Sequence, residues 1–159
     1  MKKILVSLLA VVVLLTVMVT PVMAEDTVIS GTVPTIIEVD PPDGFTMPSL
    51  NPKNSPVTSD AQTATVNANA AWQLEVVEAG GTPDGKMSGT PGTLTNAMLV
   101  KGGDETTYTS LASEVTLESS GAVGGGQTIS DITFQQAVEW SDTAGDYSIT
   151  VTFTASPAP

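Results

Sequence analysis

Apolar and polar side chains alternate with a period of two over much of this chain, the spacing of strands with one face in a core. The clearest run is C-terminal. Tyr147, Ile149, Val151, Phe153 and Ala155 share one parity, and Ser148, Thr150, Thr152 and Thr154 share the other. Just before it, Ile132, Phe134, Val138 and Trp140 fall on one face, with Gln136 the polar exception. The segment Ser141-Asp142-Thr143-Ala144-Gly145-Asp146 makes the turn between them, so the two strands are expected to pair or to lie on facing sheets. Upstream, Trp72, Leu74 and Val76 alternate with Gln73, Glu75 and Val77; Val115 and Leu117 alternate with Glu114, Thr116 and Glu118; Met98 and Val100 form a short apolar pair. Residues 27–39 read as a further strand region, split near Gly31 or at Pro34, an edge or bulge residue.

Turn signals separate these runs: Pro41-Pro42-Asp43-Gly44, the Gly- and Pro-containing stretch 80–85, Gly102-Gly103-Asp104 and Gly124-Gly125-Gly126, the last read as a flexible loop. Residues 78–95 form the longest irregular stretch and the expected mobile loop. No window of ten or more residues carries a helical stripe beyond the N-terminal apolar run. Seven or more short strands at this spacing predict an all-β fold, an antiparallel two-sheet sandwich of immunoglobulin-like or Greek-key type. The core expectation places Trp72, Trp140 and Phe153 between the sheets, with the Tyr147 hydroxyl bonding a backbone group as a corner tyrosine does.

The first 24 residues change the picture of where such a domain works. Lys2 and Lys3 precede an almost wholly apolar stretch from Ile4 to Val19. Pro21 and the small-x-small sequence Val22-Met23-Ala24 follow. This is the layout of a signal peptide, with cleavage expected before Glu25 and a single domain over 25–159; an uncleaved membrane anchor is the alternative. Loss of Lys2 and Lys3 would take the formal net charge from −12 to −14. A surface so acidic argues against nucleic acid and against docking on anionic lipid, so neither nucleic acid nor membrane is an expected partner of the mature chain.

Among 159 residues there is no His and no Cys, and all five basic residues are Lys. The chain therefore lacks a His-containing triad, a thiol nucleophile, an ordinary zinc site and any disulfide. A secreted domain without disulfides depends on its core or on its neighbours in an assembly. Acidic pairs recur in the turns. Asp40 and Asp43, Asp104 and Glu105, and Asp142 and Asp146 are possible calcium ligands or a glycosidase pair, but Asp and Glu are also ordinary turn residues. No catalytic residue and no cofactor is assigned. The candidate calcium ligands are Asp40, Asp43, Asp142 and Asp146.

The order of elements adds a resemblance. Asn67-Ala68-Asn69-Ala70-Ala71-Trp72-Gln73-Leu74-Glu75-Val76 places Trp-x-Leu at the start of a strand. A Gly-rich stretch, Thr93 to Leu99 and the terminal Ala144-Gly145-Asp146-Tyr147 strand then follow. This order resembles the WxL domains of secreted bacterial surface proteins, and the ending is also similar to subunits of fimbriae and other surface filaments. Where the WxL family has its second motif, this chain reads Phe153-Thr154-Ala155. The resemblance spans roughly residues 28–155, with Trp72, Leu74, Gly145, Tyr147 and Phe153 as its motif positions. It implies non-covalent attachment at a cell surface within multi-protein complexes. Three functions are expected in that light: a non-enzymatic surface domain with envelope components or surface proteins as partners; a filament or matrix subunit that self-associates by lending a strand, with residues 25–33 as the candidate; and a carbohydrate-binding module, placed last because most of the seven aromatics fit core positions.

Overall fold

The computed structural model describes residues 28–80 and 84–159. The expected signal peptide, 1–24, lies outside the described residues. Eleven strands form among the described residues: β1 (Ile37–Asp40), β2 (Val57–Thr58), β3 (Gln62–Ala68), β4 (Trp72–Glu78), β5 (Ser88–Gly89), β6 (Gly92–Thr93), β7 (Leu99–Gly102), β8 (Glu105–Ser110), β9 (Val115–Gly121), β10 (Gly124–Gln136) and β11 (Val151–Pro157). The only helical element among the described residues is a three-residue 3-10 turn, Pro52–Asn54.

All pairings are antiparallel. One sheet runs β1-β3-β10-β7-β8, with β2 continuing the β3 side of β10. A second runs β11-β4-β9, and β5 and β6 make a small hairpin. The inward residues of both larger sheets join one core: Ala64, Val66, Val100, Ile132 and Phe134 from the first, Trp72, Leu74, Val76, Val115 and Leu117 from the second. Alternation places them there, because successive side chains of a strand point to opposite faces. The strands ending at Gln136 and beginning at Val151 thus belong to different sheets, one of the two arrangements expected for them.

Specific contacts within the sheets and to the connecting loops add to the apolar burial. The Trp72 indole lies flat against Gly121, its register partner on β9, and Nε1 donates 2.8 Å to the Ala122 carbonyl. A Cβ on Gly121 would fall 2.0 Å from the indole ring, so only glycine fits beneath it. The Tyr147 hydroxyl donates 2.6 Å to the Thr143 carbonyl, the corner expected of it. Gln136 is fully buried at its polar-exception position, and Nε2 donates to the carbonyls of Asn96 and Ala137 at 3.0 and 2.8 Å.

Four expectations are corrected. Trp140 is not a core residue: it is 76% exposed. The chain leaves the sheet at Gln136, Val138 still buries its side chain, and a turn then carries Trp140 outward, so strand parity no longer governs it. Phe153 is half-buried at the margin of the core, not enclosed by it. The run Gly124-Gly125-Gly126 opens β10; the register shifts between Gly124 and Gln127, and positive φ at Gly124 and Gly126 makes this a bulge that glycine permits. Stretch 78–95, of which 81–83 lie outside the described residues, is not irregular throughout: it contains the β5–β6 hairpin, buries Met87 and Leu94, and has Glu78 Oε2 accepting the amides of Asp84 and Gly85 at 2.9 and 2.6 Å.

The expected N-terminal strand is present only as β1. Residues 28–33, the described part of a separate first unit, form no strand and are exposed, Val28, Ile29 and Val33 by 82–93%. The second unit begins at Pro34, where Asn69 fixes the chain entering β1 by donating 2.8 Å to the Pro34 carbonyl and accepting the Ile36 amide at 2.7 Å.

Candidate functional site

The loop between β1 and β2 carries three apolar side chains, Phe45, Met47 and Leu50, among prolines that keep it out of either sheet. It faces the segment leading into β11. Between them lies an open groove of about 750 Å3 that reaches inward to Met87, Met98 and Phe134. Its far wall is Gly145 to Val151 together with Phe153. Phe45 lies against Phe134 with ring centroids 5.4 Å apart, so the rim and the core are continuous. Met47, Leu50, Tyr147, Ile149, Val151 and Phe153 pack on the core yet stay partly exposed to the groove. Partial burial of so many apolar side chains along one seam is the feature that marks a binding groove.

The wall is stiffened from behind. Ser88 and Ser148 exchange backbone hydrogen bonds of 2.9 Å, coupling the β5–β6 hairpin to the approach of β11. Gly145 is required by Pro91, whose ring would lie 2.4 Å from an added Cβ, and Gly89 by the Asp146 carbonyl at 1.9 Å. Thus Gly145 and Tyr147, picked out from sequence, shape this wall, and Phe153 closes its inner end. Trp72 and Leu74 are buried in β4 and do not line the groove; they act through the sheet, where β4 pairs with β11 so that Leu74 opposes Ala155 and Val76 opposes Phe153.

The four calcium candidates are not gathered into one site. Asp43 and Asp146 line opposite sides of the groove, and Asp40 ends β1 in solvent. Asp142 has a structural task. Its Oδ2 accepts the Glu139 amide at 2.8 Å, and its Oδ1 accepts the Thr95 amide and hydroxyl at 2.9 and 2.7 Å. Those bonds, the one from Glu139 first, hold its carboxyl below the usual range. Among the described residues no group of three or more acidic side chains converges as a metal would require. Asp104 is similarly occupied by the Ser119 amide and hydroxyl, which lower its pKa.

Sequence reasoning missed the 41–50 loop as a wall, although Phe45-x-Met47 inside a proline-rich loop was a visible signal. It also missed Asn69 and Gly121, whose roles depend on partners more than 30 residues away. Compared with protein-family models and with curated proteins, the chain matches none.

Proposed function

We propose that this chain is a secreted, non-enzymatic domain, a WxL-like two-sheet sandwich of immunoglobulin-like topology, that works at the cell surface by holding an extended partner segment in the groove beside β11. The observation that carries the reading is the groove itself: a rigid wall, an apolar floor continuous with the core, and an acidic residue on each side to repel anionic ligands. The signal-peptide layout of residues 1–24 supports export, and the surface charge supports solubility outside the cell.

The test is cell fractionation of the full chain beside a Phe45→Asp variant. Phe45 is 39% exposed at the rim, so the variant is expected to fold, as circular dichroism will show, and to move from the envelope fraction into the medium. A folded variant that distributes like wild type would sink the groove reading.

A second reading, a filament subunit that exchanges strands, is favoured by one observation. Val28, Ile29 and Val33 form an exposed, uncharged, β-branched run without a strand partner, next to a chain whose net charge is otherwise strongly negative. Deleting residues 28–33 and sedimenting at low and high salt tests it. Assembly of wild type that screening promotes and the deletion abolishes supports exchange; wild type that stays monomeric throughout excludes it.

A further inference from the structure

Trp140 is the largest exposed aromatic among the described residues, and it is presented by a turn built to stay in place. Glu139 to Asp142 is a tight turn closed by the Asp142 amide donating 3.2 Å to the Glu139 carbonyl, with Trp140 at its second position. The Asp142 carboxylate closes it a second time by accepting the Glu139 amide, and reaches across to Thr95. Asn96 Nδ2 donates 3.1 Å to Glu139 Oε1, and Gln136 holds the Asn96 carbonyl from within. Buried Leu94 and Val138 anchor the two strands of chain that carry this network. A tryptophan displaced from the core normally finds cover, and an exposed one on a turn fixed in advance is the arrangement that makes a binding hot spot.

The surroundings choose the ligand class. Glu139 and Ser141, which flank Trp140 in the chain, are exposed and polar, as are Thr95 and Thr143; Asn96, bonded to Glu139, is half-buried. A protein partner would need an apolar patch around the ring, and none of these residues offers one. An anionic lipid or polymer would meet Glu139, Asp142 and a net charge of −12. An uncharged pyranose ring has the matching chemistry: an apolar C–H face to stack on the indole and hydroxyls to donate to a carboxylate and an amide oxygen. We infer that Trp140, with Glu139, Asn96 and Ser141, forms a binding site for a neutral glycan. None of these residues lines the groove, so the inference goes beyond the proposed function and stands or falls separately from it.

The chain has two tryptophans, and Trp72 is only 2% exposed, so quenching of emission by acrylamide reports on Trp140. The probes are neutral tetrasaccharides and soluble polysaccharides of β-glucan, chitin, xylan, mannan and galactan type, titrated against the full chain. At least one is expected to protect Trp140 from quenching saturably, with a dissociation constant on the order of millimolar or tighter, as for a single stacking platform. Calorimetry with that probe should show at least about tenfold weaker binding for Trp140→Ala, partial retention for Trp140→Tyr and weakening for Glu139→Gln, with unchanged melting temperatures. Phe45→Asp should bind the glycan as wild type does. The inference is overturned if no neutral glycan protects Trp140, if Trp140→Ala binds as well as wild type, or if only vesicles of anionic lipid give protection.

Discussion

At the scale of single residues the two tryptophans divide the labour of structure and recognition. Trp72 fills the space over Gly121 and satisfies its own N–H, so Trp72→Ala should cost about 3–5 kcal/mol through the cavity it leaves. Gly121→Ala should be comparably damaging for the opposite reason, an atom placed inside the indole. Trp140→Ala should stay within about 0.5 kcal/mol of wild type. Thermal melts of the three variants check the set, and equal losses at Trp72 and Trp140 would contradict it.

The same scale fixes the response to acid. Asp104 and Asp142 have folded pKa values below their unfolded ones because amides and hydroxyls bond their charged forms. Their stabilisation is therefore fully present above the ordinary Asp range and is lost as pH falls through the lowered values. Both groups are solvated, so the effect is modest. Asp142→Asn should lower stability at pH 7 and flatten its dependence below pH 4. Glu75 runs the other way: desolvation first, and then the neighbouring Glu114, raise its pKa. Glu75→Gln should leave stability at neutral pH unchanged or a few tenths of a kcal/mol higher. Denaturant titrations at several pH values decide both.

At the scale of elements, legibility followed side-chain size. β4, β9, β7 and the last third of β10 were readable because Val, Leu, Ile, Phe and Trp mark their buried faces. β3 escaped notice although Ala64 and Val66 are fully buried and Ala68 nearly so: small side chains over Gln, Thr and Asn give little contrast. β8 escaped because none of its residues is fully buried. Val28 to Val33 shows the converse, β-branched propensity with no partner strand to use it. Trp140 shows how a parity argument fails beyond the residue where the ladder ends. Of the groove only separate marks were visible, Phe45 and Met47 in the proline-rich loop and Gly145, Tyr147 and Phe153 near the C-terminal end; their meeting was not, since the two stretches lie far apart in the chain. Hydrogen exchange should follow burial and strand pairing instead, with β3, β10 and β4 most protected and residues 28–33 exchanging at once. Protection over 28–33 in dilute protein would contradict the unpaired state described for that segment.

On the scale of the whole molecule, one chain carries an apolar groove whose walls are held in position, a separate exposed tryptophan and a strongly acidic net charge. On the proposed reading, the groove receives another polypeptide segment at the cell surface. The most direct measurement is photo-crosslinking in living cells, with a photoreactive residue at Met47 inside the groove and, as control, at Thr152, which is exposed on the outer face of β11. A discrete heavier adduct is expected from position 47 and none from position 152. No adduct from position 47, or the same adducts from both positions, would contradict it.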